Sequence, residues 1–451
     1  MILYSILLIT GLLFSIIIIY TKAKSSGLTS IAYFPIVLFT VFFAVVHFLT
    51  PLLKQLEGFN RYQFEYEPLI LIYSALLSII YLAFALMVNN RFSSNTKRII
   101  ARNRISLIEN RDQSIKIALQ VGVVLGLIGG FYAWRDLNTI QGTAGSMNEF
   151  LRDRHLASAD RSGSRLFASF LVPACVSLLA ASVLSKRKFV PFLVFLAFLS
   201  FYVYYSNSIS SRNSILVILI MSVMTYLFLK SEVIGTVKLG FVKMFVLSLI
   251  ALMTIGLAYV TTTQRYSIDS DYTEARRDSA FFYMMDGAFG NDEARPWMIQ
   301  NGQEYFFGKT YIAAFTNVVP RSIWSGKPVG AGPELINMIR PGSYIIGSAG
   351  NNSLTTGIIV EARMNFGVPG VFLVILIFAY IANRLTVAAV KTQDLMLKLM
   401  YILVITSMGS TLIYSEFLGY FTRLAMIMFP LWFASRILQL VTRPTRSIRG
   451  R

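Results

Sequence analysis

Apolar runs of about twenty residues recur along almost the whole chain, and nothing else constrains its fold as strongly, since a bilayer core of about 30 Å takes a helix of that length to cross. They lie near 2–20, 31–50, 68–88, 115–134, 165–185, 189–205, 214–230, 243–263, 364–383, 396–414 and 424–441. In lipid every backbone N–H and C=O has to be satisfied within its own segment or a closed barrel, and runs this long and continuous select the helix. The expectation is an all-α polytopic membrane protein of about eleven transmembrane helices. Composition agrees: 55% of the residues are hydrophobic and only 14% are charged, well below the quarter charged of a soluble domain.

Lysine and arginine beside the spans set the orientation, because positive loops resist translocation. The loops around 21–30, 89–116, 186–188, 230–243, 384–398 and 436–451 carry 23 of the 41 basic residues and only four acids, Glu109, Asp112, Glu232 and Asp394. The whole formal charge of +19 therefore gathers on one side, and the remaining basic and acidic residues balance. This predicts an inner-membrane protein with its N-terminus outside and its C-terminus inside, on the cytoplasmic side, ending in Arg443, Arg446, Arg449 and Arg451. Positive-inside topology accounts for that tail without nucleic acid as a partner. The first run has neither a basic leader nor a small-residue cleavage site and reads as a retained helix. A lone cysteine, Cys175, and two histidines, His47 and His155, speak against a disulfide framework or a zinc centre.

Two segments on the neutral side are too long for turns, 135–164 and 264–363, and loops of that length tend to carry function. The expected organisation is a bundle over 1–263, a large loop over 264–363 holding short interfacial helices, and further spans with a basic tail over 364–451. Pro333 and Glu334 ahead of Leu335–Ile339 mark a helix's first turn. In NVVPRSIWSGKP, residues 317–328, Arg321, Trp324 and Lys327 share a proline-bounded loop. Two phosphate-binding cations beside a ring that stacks on a sugar face suit a lipid-diphosphate sugar, while the plainer reading is a headgroup anchor.

The stretch NNSLTTGIIVEARMNFGVPG, 351–370, carries polar groups into an apolar run. At 100° per residue Asn352, Thr355, Thr356 and Arg363 share one stripe, and Glu361 and Asn365 the opposite one. Gly367, Pro369 and Gly370 are positioned to break that helix. An ionisable residue at membrane depth costs at least about 2.5 kcal/mol, which makes Arg363 and Glu361 functional candidates unless they snorkel to the headgroups. Arg212, Arg265 and Arg423 stand at the same expected level, with Glu416 seven residues before Arg423 as a possible ion-pair partner. His155, in a loop with Arg152, Arg154 and Arg161, reads as a solvated side chain.

At these residues the sequence resembles the Wzy family of O-antigen and capsule repeat-unit polymerases. The resemblance rests on Ser211-Arg212-Asn213 before a span, Arg265 at a span's exit, VPRSIWSGKP at 319–328, and Glu361 followed by Asn365-Phe366-Gly367, and it covers roughly 205–430. It implies a GT-C-like, metal-independent glycosyltransferase that joins undecaprenyl-diphosphate-linked oligosaccharide units at the outer face of the inner membrane. Its implied partners are that lipid-linked substrate, membrane lipids and a chain-length regulator, with no cofactor. Under this reading Arg265, Arg321, Lys327 and Arg363 neutralise the diphosphate, helped by Arg212 and Arg423. Trp324 and Asn352 contact sugar, and Glu361 is the base or hydroxyl-orienting group. The related O-antigen ligases carry a histidine in the loop corresponding to Gly350–Asn352, and none stands here. A ligase or a flippase for the same lipid-linked sugars is the alternative.

Overall fold

A computed structural model describes residues 1–23, 28–59, 64–102, 108, 110–144, 162–209, 212–234, 293–302, 305–346 and 353–442, with isolated positions at 256, 259, 281, 282 and 285. Every regular element among them is helical: α1 (Ile2–Ala23), α2 (Phe34–Ala44), α3 (Thr50–Leu56), α4 (Pro68–Arg102), α5 (Arg111–Ala144), α6 (Ser162–Ala168), α7 (Leu171–Leu184), α8 (Phe189–Ser208), α9 (Arg212–Ile234), α10 (Ala294–Asn301), α11 (Lys309–Thr316), α12 (Ala331–Ile339), α13 (Gly357–Lys391), α14 (Leu395–Gly409), α15 (Thr411–Tyr414) and α16 (Phe417–Thr442). Among the described residues nine helical segments are long and apolar enough to cross a membrane, and Ser214–Lys230 within α9 is a shorter apolar helix. The chain is thus an all-helical multi-pass membrane protein. Apart from positions 256 and 259, the expected span at 243–263 lies outside the described residues.

The second span, Ile31–Leu56, runs from α2 through a π-turn, Val45–Leu49, into α3. Pro51 explains the turn: it has no N–H for the preceding coil and its ring crowds it, so the chain widens by one residue and the Thr50 N–H reaches back to the Val45 carbonyl. A second interruption divides α13 at Gly367, whose φ of 68° and ψ of −159° are not helical, two residues before Pro369. The apolar run read near 364–383 is therefore the second limb of a longer element. Its first limb, 357–366, is almost wholly buried.

Position in the bundle follows side-chain size. Helix α7 is buried along nearly its whole length, and its small residues Ala174, Cys175, Ser177, Ala180, Ala181 and Ser182 admit close neighbours. On α5, a Cβ at Gly129 would stand 2.8 Å from the Leu171 backbone nitrogen, so only glycine permits that approach. One apolar core joins α5, α7, α8 and α9 to α14 and α16, and a second joins α1, α2 and α4 to α13 and α15.

Hydrogen bonds between distant residues sort the helix ends onto two faces. On one, Gln55 Nε2 donates to Ser5 Oγ (2.7 Å), Tyr205 to Asp136 (2.8 Å) and Thr310 to Glu361 (2.8 Å). On the other, Lys22 donates to Asn90 (2.9 Å) and Arg111 to the Leu184 carbonyl (2.7 Å). Helices α10, α11 and α12 belong to the first, hereafter the loop face. Helices α10 and α12 share a small core of their own, with Met298, Leu335, Ile336 and Leu354 packed on Val360 and Met364 of α13.

Candidate functional site

The break in α13 is what fastens the loop segment to the bundle. In an unbroken helix the Met364 and Asn365 carbonyls would accept from residues 368 and 369, but the chain turns at Gly367 and Pro369 has no N–H. The Phe306 and Phe307 amides donate to those carbonyls instead, at 3.2 and 3.1 Å. The Asn365 side chain completes the latch. Its Oδ1 accepts from Gly308 N (2.8 Å), and its Nδ2 donates to Thr310 Oγ1 (2.7 Å) and to the Glu361 carbonyl (2.8 Å).

Glu361, Asn365 and Thr310 are fully enclosed. One Glu361 oxygen accepts from the Thr310 hydroxyl at 2.8 Å and the other from the Phe417 amide at 2.5 Å, so the carboxylate ties α11 to the start of α16. Tyr311, on α11, packs edge-on to Phe417 with ring centres 5.4 Å apart. Burial, reinforced by the Glu361 charge, pushes its phenol well above the usual tyrosine range.

Glu416, between the last two spans, does not pair with Arg423, contrary to the spacing. Its carboxylate accepts from the Gly332 amide (2.7 Å) and from that of Ala331, capping α12 where unsatisfied N–H groups and the helix dipole favour an anion. A Cβ at Gly332 would stand 2.4 Å from the Leu354 carbonyl, which reserves this turn for glycine. Arg423 instead lies beside Tyr414. Tyr202 lines a cavity of ≈ 210 Å³ with Arg165, Ser169, Tyr205, Ser206 and Ser214.

A second charged cluster gathers where the start of α10 enters the bundle. Lys54, at the end of the second span, pairs with Glu293 at 2.7 Å, both nearly buried. Arg295, only 5% exposed, donates from Nε to Ser74 Oγ on α4 at 2.7 Å. Arg363 approaches from α13, and both guanidiniums stand close enough to Tyr81 for their charges to act on its phenol. His47, in the π-turn, is buried against Phe43 (ring centres 4.4 Å apart) within reach of the Arg295 charge. Two guanidiniums held by the fold against α4, at Ser74 and at Tyr81, can neutralise an anion without reorganising.

The expected site residues fall into three groups. Arg363 and Glu361 are on opposite sides of α13, the first toward Tyr81 and the second toward Thr310 and Phe417. Arg321 and Lys327 are turned into their own loop. Arg321 Nη1 donates to the carbonyls of Ser325 (3.1 Å) and Lys327 (3.2 Å), and Lys327 Nζ to those of Asn317 (3.1 Å) and Val319 (2.7 Å). Trp324 is exposed beside them. Arg212 opens α9, while Arg265 and Asn352 lie outside the described residues, as does His155.

Sequence reasoning missed Lys54, Glu293, Arg295, Thr310 and Tyr81. A stripe was there to find: Ser74, Ser78 and Tyr81 recur at helical spacing on one face of an otherwise apolar span, and all three are buried. Among the described residues no group of three or more histidine, cysteine or carboxylate side chains is placed to hold a metal ion.

No curated protein and no solved structure matches the chain. One family model, described as a domain of unknown function (DUF8712), matches residues 298–429, which takes in the latch, the capped α12 and the last spans.

Proposed function

We propose that this protein is a membrane glycosyltransferase that joins undecaprenyl-diphosphate-linked oligosaccharide units into a polysaccharide, with the loop face on the periplasmic side of the inner membrane and the basic tail in the cytoplasm. Under this reading the architecture is of the GT-C kind that the resemblance implies. The observation that carries the reading is the pair Arg295 and Arg363, drawn from a loop helix and a broken span and both set against α4, the first bonded to Ser74 and the second at Tyr81. A lipid diphosphate is an anion that arrives at that level of the membrane. Buried guanidiniums bind phosphate oxygens more strongly than solvated ones.

In the reaction a hydroxyl oxygen of one unit forms a bond to the anomeric carbon of the sugar at the end of the other's chain. The anomeric carbon–phosphate oxygen bond breaks, and undecaprenyl diphosphate leaves with the electron pair. Arg295 and Arg363 stabilise the charge that develops on the leaving oxygen. The acceptor's proton departs to a base or to water. Since both its oxygens are engaged, we assign Glu361 to positioning: it holds α11 against α16 over the reacting groups. Asn365 does the same for the Phe306–Gly308 turn.

The test is reconstitution. Purified protein given synthetic lipid-linked repeat units should produce a ladder of products still attached to the lipid diphosphate. Transfer to a lipid A core acceptor instead would make it a ligase, and no product at all would end the proposal. Glu361→Gln should retain a slower ladder, and complete loss in a folded protein would make that carboxylate the base.

A further inference from the structure

A cavity of ≈ 260 Å³ opens on the loop face between the N-terminal end of α1, the end of α3 and the chain leading into α4. Four rings line it, those of Tyr4, Phe59, Phe64 and Tyr66. Phe64 and Tyr66 meet edge-to-face at 6.0 Å, and Phe59 stacks on Phe282 at 5.4 Å, so rings are held as walls in two orientations. Polar groups sit among them: the Lys54–Glu293 pair and the amide of Gln55. Gln55 is fixed by its Nε2 bond to Ser5, while its buried Oε1 has no hydrogen-bond partner among the described residues. Tyr66 donates to the Glu293 carbonyl at 3.2 Å.

We propose that this cavity is a saccharide subsite taking one uncharged sugar ring. A sugar is apolar on the C–H faces of its ring and polar around its rim, and it wants aromatic walls with donors and acceptors together. Lys54 supplies a donor, Glu293 and Gln55 supply acceptors, and the tyrosine hydroxyls serve as either. Among the described lining side chains, the two charged ones pair with each other at 2.7 Å. An acyl chain would fill the space but set hydrocarbon against the Lys54–Glu293 pair, a cost that a hydroxyl-bearing ligand avoids.

The place of the cavity adds a role, and this part rests on the polymerase reading. Glu293 faces the cavity, and two residues later Arg295 reaches Ser74 in the guanidinium cluster. A glycan whose sugar lies against Phe64 and Tyr66 would thus have a neighbouring phosphate beside Arg295, as a lipid-linked oligosaccharide requires.

The experiment uses the full chain in lipid nanodiscs. Its probe is a phosphate-free repeat-unit oligosaccharide, released by mild acid from the surface polysaccharide of the producing cell. Titration followed by saturation-transfer NMR should give saturable binding, weakened at least tenfold by Gln55→Leu and by Phe64→Ala. Phe64 also packs on the loop core, so Gln55→Leu, with its unfolding midpoint measured alongside, decides the matter if Phe64→Ala misfolds. No binding by the wild type, equal binding by folded Gln55→Leu, or competition by inorganic phosphate or phosphocholine vesicles would overturn the proposal. The ladder reaction on the same preparations separates the two ideas. A wild-type ladder whose acceptor KM is unmoved by Gln55→Leu, together with unmoved sugar binding, removes the subsite and leaves the polymerase. Variant-sensitive sugar binding without any wild-type ladder removes the polymerase and leaves the subsite.

Discussion

Two stretches of the loop face carry similar residues and use them in opposite ways. In 317–328, Arg321 and Lys327 spend their donors on carbonyls of the same loop. At 293–295 and 54, the charged groups reach into the bundle, where Lys54 meets Glu293 and Arg295 meets Ser74. The difference has a backbone cause. Pro320 and Pro328 bound an irregular loop outside any helix, and its carbonyls at Asn317, Val319, Ser325 and Lys327 are met by the nearest long cationic side chains. Around α10 the backbone satisfies itself as a helix, and the side chains are free to bind across elements. A cation motif in a proline-bounded loop is first a way of closing that loop. The desolvated cations come from positions isolated in the sequence.

If that contrast is right, the two groups of cations should differ most in what their removal does to stability. Lys54→Met leaves the Glu293 carboxylate buried without its cation, which costs about 3–5 kcal/mol, and adding Glu293→Met should restore most of it. Lys327→Met exposes two loop carbonyls to water and should cost under about 1 kcal/mol. Denaturant unfolding of the purified protein in detergent measures both, and equal costs would dissolve the contrast. In the ladder reaction, Arg363→Met should lower extension by roughly 10²–10³-fold, the range for removing one fixed donor to a developing oxyanion. Arg321→Met should lower it less than tenfold. The reverse order would return the diphosphate to the 317–328 loop.

What the sequence disclosed divides along the same line. Hydropathy gave the nine spans found among the described residues directly, because a run such as 165–185 has one stable state in lipid whatever its neighbours do. Gly367 and Pro369 announced the break in α13 for local reasons of φ and missing N–H. The candidate site was legible only where chemistry is local. Arg363 and Glu361 could be placed on opposite stripes because both ride one helix. Lys54 and Glu293, 239 positions apart in the chain, could not be brought together, because their meeting depends on the tertiary insertion of α10. Glu416 shows the limit of spacing rules. A helical wheel pairs it with Arg423, but it precedes α16 and lies near the N-terminus of α12, whose amides outbid a cation seven residues on.

A smaller effect tests whether the latch at the α13 break holds the loop helices in place. Asn365→Leu keeps the volume but leaves Gly308 N and Thr310 short of partners, a cost of about 2–3 kcal/mol at about 1 kcal/mol or slightly more per bond. The loss should be local. Hydrogen exchange at Phe306, Phe307 and Gly308 should quicken strongly while α7 exchanges as before, because the opening is of the latch and not of the bundle. Uniform acceleration across both would mean that the loop helices and the spans open as a single unit.

The least of these effects belongs to Glu416, and its sign discriminates between two forces on one carboxylate. Burial raises its pKa, while the Gly332 and Ala331 amides pull it down, and burial prevails. A carboxyl group with a raised folded pKa binds more protons in the native state than in the unfolded one between the two values. Its contribution to stability is therefore complete below the ordinary glutamate range and is lost as pH rises through the raised value. The unfolding midpoint of the wild type, measured against that of Glu416→Gln to cancel every other titrating group, should fall as pH climbs out of that range. A rise instead would mean that the two amides and the α12 dipole outweigh desolvation, making Glu416 a strong helix cap that works best as an anion and placing this turn in contact with more water than its packing implies.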